Sequence, residues 1–280
     1  MHAPASITLL DGPVGTELWA RGVSTRLPGW SAHALVEAPD VLAAIHRDYA
    51  FAGATVHTAN TFRTKQRTFP SDWKALARAA VALCRDNVPP HHKVAGSIAP
   101  LEDCYRPDLS PAEPRPEHRE LARVLAAIGC DVLLCETFPH VGEALVAVEE
   151  AVATGVDTWV SFTAGPDANL LTPEEIERGA REAVQRGAKA VLVNCVPAPK
   201  MLAFVERLAD AGVPFGAYAN AGSADDAIGW KNGPDEGPAR YADLAEAWIR
   251  AGATLVGTCC GTGPKHVAEL AKRFGATAQR

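Results

Sequence analysis

The sequence predicts an α/β chain folded as a single-domain (β/α)8 barrel of the TIM type, covering residues 1–280. Three observations predict it. First, six segments with helical patterning end at a glycine that is followed directly by an apolar, β-branched run: Ala52-Gly53-Ala54, Ile128-Gly129-Cys130, Thr154-Gly155-Val156, Arg186-Gly187-Ala188, Ala211-Gly212-Val213 and Ala251-Gly252-Ala253. Glycine suits the left-handed position just past a helix C-terminus, and a strand covered on both faces is apolar throughout. Second, these glycines are 76, 26, 32, 25 and 40 residues apart, and two further apolar runs, Ile7-Thr8-Leu9-Leu10 and Lys93-Val94-Ala95-Gly96-Ser97-Ile98, bring the strands to eight. Third, 280 residues is close to the ~250 typical of such a barrel. A doubly wound open sheet is the alternative arrangement of the same pattern.

In chain order, the strands are expected to begin near residues 7, 54, 93, 131, 157, 189, 214 and 253. The third is entered through Pro89-Pro90, which cannot continue the preceding helix. Helical patterns such as Glu174-Glu175-Ile176-Glu177-Arg178-Gly179-Ala180 fill the gaps. Two Pro- or Gly-rich stretches, Tyr105 to Pro116 and Ser223 to Pro238, read as surface excursions rather than domain boundaries.

Composition narrows the function. A 48% hydrophobic, 21% charged chain can build a continuous core, and 27 basic against 33 acidic residues give a net charge of −6 with no basic run. Nucleic-acid binding is therefore not expected. The opening MHAPASITLLDGPVG has neither a basic n-region nor a long apolar stretch, and no 18-residue uncharged apolar segment occurs. The expectation is a cytoplasmic protein with no membrane partner.

A barrel of this type does its chemistry where the strands end, at the C-terminal rim. The residues expected there are Asp11-Gly12, Thr58-Ala59-Asn60-Thr61, Ala99-Pro100, Glu136-Thr137, Thr163, Asn194-Cys195, Asn220 and Cys259-Cys260-Gly261, one group per strand. Of seven cysteines, Cys195, Cys259 and Cys260 thus share one end of the fold. Adjacent cysteines on a regular strand point to opposite faces, so Cys259 and Cys260 converge only if the chain turns there. Gly257, Gly261 and Gly263 supply that capacity. Three thiolates match the soft, tetrahedral preference of Zn²⁺ and leave a fourth position open, although free cysteines also serve as small buried hydrophobes.

Leu10-Asp11-Gly12-Pro13-Val14-Gly15-Thr16-Glu17-Leu18, Asn194-Cys195 and Gly257-Thr258-Cys259-Cys260-Gly261-Thr262 together resemble the homocysteine S-methyltransferase family. The resemblance continues in order through Trp30-Ser31, Thr58 to Phe62, Leu134-Cys135-Glu136-Thr137, Trp159 to Phe162 and Tyr218-Ala219-Asn220. It implies a zinc-dependent methyltransferase with Zn²⁺ on Cys195, Cys259 and Cys260 and the homocysteine sulfur as exchangeable ligand, giving methionine. It also implies that Asp11 and Glu136 hold the substrate ammonium. The amide around Gly12, with Thr58 and Asn60, faces the carboxylate or lines the pocket; Asn220 is grouped with these substrate contacts, either stabilising the rim near the metal or merely ending its strand. The sequence departs from the family pattern at Pro13, Ala99 and Thr258, the last placing a β-branched residue where the chain must bend. One barrel uses up the chain, so a small sulfonium donor, S-methylmethionine or S-adenosylmethionine, is expected rather than the donors of multidomain relatives. Betaine as donor, another thiol as acceptor, a metal lyase or hydrolase of the same fold, and a non-catalytic zinc protein are the alternatives.

Other residues attract structural expectations. His46 and Tyr49 fall at i, i+3 on an outer helix, Cys135 is out of phase with Glu136 and belongs to the outer layer, and His91-His92 sit in a short solvated connection. Cys84, Cys104 and Cys130 have no partner pattern, and His57 precedes a rim position.

Overall fold

A computed structural model describes residues 6–230 and 235–275. Eight parallel strands form one sheet: β1 Thr8–Leu9, β2 Val56–Ala59, β3 Lys93–Ile98, β4 Val132–Phe138, β5 Asp157–Phe162, β6 Ala190–Pro197, β7 Phe215–Asn220 and β8 Leu255–Thr258. Each begins within two residues of its expected position. Their order is β1-β8-β7-β6-β5-β4-β3-β2. Leu10 bridges Val56, and the Asp11 and Thr55 amides donate to Val56 and Leu9 carbonyls at 3.0 and 2.9 Å, so the two ends of the sheet meet and the barrel closes.

The helices are α1 Val14–Ala20, α2 Ala34–Glu37, α3 Pro39–Ala52, α4 Trp73–Asp86, α5 Arg115–Ile128, α6 Val141–Val152, α7 Pro173–Gln185, α8 Leu202–Val205, α9 Gly237–Arg250 and α10 Pro264–Phe274. All six glycines of the helix-stop-strand pattern have left-handed φ, between 76° and 109°, the angles that a side chain would resist. The crossover after β6 is the least regular, with α8 only four residues long between 3-10 turns. Pro197 and Pro199 precede it, and neither has the amide hydrogen a continuous helix needs. No helix among the described residues is long and apolar enough to cross a membrane.

Strand alternation divides the core in two. Outward residues such as Leu133, Cys135, Val160, Val191 and Val193 pack under the helices, as expected for Cys135. Inward residues, including Val56, Ala95, Leu134, Trp159, Leu192 and Leu255, fill the barrel as a separate cluster. Cys84 and Cys130 are buried in the outer core. His46 is also buried, with neither ring nitrogen hydrogen-bonded among the described residues. Burial pulls its pKa down to about 4, so it stays neutral.

Candidate metal and substrate site

Above the apolar filling, the inward positions turn polar: Thr58, Ser97, Glu136, Ser161, Asn194 and Tyr218 follow the same two-residue phase as the apolar layer beneath. A pocket of about 360 Å³ opens over them. Asp11, Gly12, Thr58, Asn60, Glu136, Cys195, Cys259 and Cys260, all singled out by sequence, line it together.

Local backbone geometry brings the three sulfurs together. In β6, Asn194 already points inward, so Cys195 should face out. Instead Cys195 adopts φ 55°, and the β6–β7 register shifts between Asn194 and Pro197. The turn carries its sulfur to the pocket. A cysteine in the left-handed region is strained, and Asn220 holds it there: its Nδ2 donates to the Cys195 carbonyl at 2.9 Å, while its Oδ1 accepts from Gly222 N at 2.7 Å. Asn220 therefore stands behind the sulfur and does not line the pocket. Thr137, at φ 62°, shows the same device: its amide donates to Asn194 Oδ1 and its Oγ1 accepts from Asn194 Nδ2 at 2.8 Å.

After β8, the Cys259 carbonyl accepts from both the amide and the hydroxyl of Thr262, at 3.2 and 2.6 Å, and Gly261 takes φ 82°. This tight turn places the adjacent Cys259 and Cys260 sulfurs 4.0 Å apart on one side of the chain. Cys195 Sγ lies 3.0 Å from Cys259 Sγ and 3.6 Å from Cys260 Sγ. Ligands ~2.3 Å from a tetrahedral metal sit ~3.8 Å from one another, so the triangle has the size to cap one soft cation. The other two thiols donate to Cys260, Cys195 foremost, which lowers its pKa well below the ordinary thiol value. Donating to its neighbours holds Cys259 well above.

In the same pocket, two carboxylates are buried close together. Glu136 is 8% exposed; its Oε1 accepts from Ser97 Oγ at 2.5 Å and its Oε2 from Tyr218 Oη at 2.9 Å. Asp11 is 5% exposed and accepts from the Thr58 amide at 2.9 Å. Burial raises both pKa values, and the Glu136 charge raises that of Asp11 further. An ammonium between them would relieve that penalty. Gly12 is a glycine by necessity, because a Cβ there would lie 2.5 Å from Thr258 Oγ1 and 2.7 Å from the Tyr49 ring. The β-branched Thr258 thus sits against Gly12, and Tyr49, on α3, reaches from outside the barrel to back the substrate loop. Asn60 spends both ends on Ser31: Oδ1 accepts from Ser31 Oγ at 2.7 Å and Nδ2 donates to Ser31 O at 2.9 Å.

Several neighbours of the site were not singled out by sequence. Ser97, Ser161 and Tyr218 carried a readable signal, isolated polar groups at inward phase. Tyr105 carried none. It lies in the excursion after β3, expected to be surface, yet its hydroxyl donates to Cys195 Sγ at 3.1 Å. Glu143 of α6 pins this loop at both ends, accepting from Leu101 N at 2.8 Å, Ser110 Oγ at 2.7 Å and His118 Nε2 at 3.1 Å. Cys104, in the same loop, also lines the pocket. His57 points away from the pocket, with Nε2 3.0 Å from His92 Nδ1. His92 is accordingly half-buried rather than solvated, because the two rings stack at 5.2 Å; His91 is exposed.

Comparison with known proteins gives a consistent result. Residues 8–274 match the family model described as homocysteine S-methyltransferase. The chain is 32% identical over 301 residues to homocysteine S-methyltransferase of Escherichia coli, covering 95% of each. It is 26% identical to selenocysteine Se-methyltransferase of Brassica oleracea, covering 95% of this chain and 88% of that one. Among solved structures, the metallated form of the E. coli homocysteine methyltransferase MmuM superposes with a TM-score of 0.79 at 26% identity, covering 96% of both chains. With its thiol triangle, its buried carboxylate pair and these matches over nearly its whole length, the chain belongs to the homocysteine S-methyltransferase family.

Proposed function

We propose that this protein transfers a methyl group from a small sulfonium donor, S-methylmethionine or S-adenosylmethionine, to the thiol of homocysteine, giving methionine, with Zn²⁺ on Cys195, Cys259 and Cys260. The observation that carries this reading is the grouping of three sulfurs, all within 4.8 Å, in one pocket with two buried carboxylates. A metallated relative of known structure supports the metal. Three cysteines and no histidine or carboxylate in the set favour zinc over harder ions and favour thiol chemistry over hydrolysis, whose zinc sites lean on histidine and carboxylate.

Bound zinc would keep a fourth sulfur deprotonated at neutral pH, where a free thiol, with a pKa of ~8.5, is mostly protonated. The remaining work falls to the protein. Asp11 and Glu136 hold the homocysteine ammonium, and its arrival offsets the cost of burying their charges. The Gly12 amide and the Thr58 hydroxyl face the carboxylate, and Asn60 fixes the Ser31 wall. Asn220 and Asn194 hold the bent strand ends that aim Cys195. The substrate sulfur then uses a lone pair to form the new S–CH3 bond as the donor S–CH3 bond breaks. That bonding pair stays on the donor sulfur, which leaves as a neutral thioether. Such a displacement gains chiefly from orientation in a shielded pocket; the proton that the homocysteine thiol would give up on binding passes to water, so the displacement itself needs no side-chain base.

The test is zinc-loaded protein incubated with homocysteine and methyl-deuterated S-methylmethionine, S-adenosylmethionine or betaine. Labelled methionine from a sulfonium donor is expected. Full transfer by Cys260→Ser, or transfer from betaine alone, overturns the reading.

A further inference from the structure

The pocket must hold two substrates at once, and its inner end accounts for only one of them. The three sulfurs, Asp11 and Glu136 together receive a thiol amino acid. Toward the mouth, partly or fully exposed, stand Trp30, Phe62, Arg63 and Asp103, contributed by the loops after β1, β2 and β3. Arg63 is the only basic side chain among the described residues lining the pocket. Its guanidinium lies 5.6 Å from the centre of the Phe62 ring, and its Nε is sealed from solvent without a hydrogen-bond partner. Arg67, four residues further along, shows what a structural arginine looks like here: Glu102 and Glu117 grip it from both sides. Arg63 has no ion pair among the described residues. Asp103, equally without one, is oriented by the Tyr105 amide, which donates to its Oδ1 at 2.8 Å.

We propose that Arg63 and Asp103 form a second amino-acid site at the mouth, holding the α-carboxylate and the α-ammonium of the methyl donor. This rests on the sulfonium reading above and deepens it. A guanidinium fork matches a carboxylate through two parallel hydrogen bonds, and Asp103 complements an ammonium with N–H donors. The Trp30 and Phe62 rings, which line the same pocket, serve the sulfonium, a cation that such rings attract. Betaine satisfies Arg63 but has no N–H to offer Asp103. The pair therefore selects a sulfonium α-amino acid.

Initial rates with homocysteine and three donors test this: S-methyl-L-methionine, its carboxyl-free counterpart (3-aminopropyl)dimethylsulfonium, and its amine-free counterpart 4-(dimethylsulfonio)butanoate. Arg63→Gln should lower kcat/KM for S-methylmethionine about 10–100-fold, through the donor KM, the loss expected for one charge-assisted carboxylate contact. The KM for homocysteine and the zinc content should not move. On the carboxyl-free donor, wild type and Arg63→Gln should be equal. Arg63→Lys, which keeps the charge but not the fork, should fall between wild type and Arg63→Gln on S-methylmethionine. Asp103→Asn should show the mirrored pattern, losing on S-methylmethionine and not on the amine-free donor. Equal losses on all three donors, or a raised homocysteine KM, overturn the assignment while leaving the methyl-transfer reading intact. A wild type that moves no methyl from either S-methylmethionine or S-adenosylmethionine overturns the donor reading and this site with it.

Discussion

Replacing Glu136 by glutamine separates what the carboxylate does for the fold from what it does for the substrate. In the free protein, Glu136 accepts from Ser97 Oγ and Tyr218 Oη. Both donors are hydroxyls that can rotate, so the amide of Gln keeps one as donor to its oxygen and uses the other as acceptor for its NH2. The fold should survive. What is lost is the charge opposite the homocysteine ammonium, a hydrogen bond to an ionised group worth ~1.5–3 kcal/mol. At ~1.4 kcal/mol per factor of ten, the homocysteine Kd should rise about 10–150-fold.

Stability should move the other way. Burial raises the Glu136 pKa from its ordinary value of 4.5. The folded state therefore holds this proton more tightly than the unfolded chain does. Stability accordingly falls as pH rises from the ordinary carboxylate range through the raised value, and above both the penalty is fully present. Glu136→Gln removes that slope, so the variant should gain on wild type at pH 8 relative to pH 4. Titration calorimetry of homocysteine onto zinc-loaded protein measures the first effect, and urea unfolding of the free protein at the two pH values measures the second. An unchanged Kd in a folded variant would refute the placement of the ammonium. A pH dependence identical to wild type would refute the burial penalty.

Three further outcomes are expected. Cys260→Ser should lose most of its zinc and its methyl transfer, read by metal analysis after dialysis and by methionine formation; a variant that retains stoichiometric zinc contradicts the ligand set. Asn220→Ala releases the Cys195 carbonyl from its restraint, and should weaken zinc ~10–100-fold in competition with a chelator, the range seen when groups orienting metal ligands are removed. Glu143→Ala leaves Leu101 N, Ser110 Oγ and His118 Nε2 without their shared acceptor, and should cost about 3 kcal/mol in urea unfolding. These hydrogen bonds outweigh burial and keep the Glu143 pKa below its ordinary value. Its contribution is present above that value and fades as pH falls through the lowered one, so wild type and Glu143→Ala should converge in acid.

The fold was legible because its punctuation is chemical. Gly53, Gly129 and their four counterparts sit where helices end in a left-handed turn, and the runs that follow are apolar on both faces because a barrel strand is covered on both. The thiol set was legible from its place at the ends of β6 and β8. How adjacent cysteines could converge was legible only as a capacity for turning. The left-handed Cys195 that completes the triangle was not, because a non-glycine residue gives no sign that Asn220 will hold it in a strained conformation. Ser97, Ser161 and Tyr218 share the inward phase of Glu136 and Asn194 and could have been read from strand alternation. Tyr105 could not, because its contact with Cys195 spans 90 residues of sequence and its Pro-rich surroundings look like open surface. Arg63 and Asp103 were hidden likewise, since lining a pocket depends on how the loops after β2 and β3 fold over the rim.

The central claim is that Cys195, Cys259 and Cys260 hold a zinc that takes the homocysteine sulfur as its fourth ligand. X-ray absorption at the zinc edge, on zinc-loaded protein before and after addition of homocysteine, tests it most directly. Three sulfur neighbours should become four. A sulfur count that homocysteine leaves unchanged would contradict it.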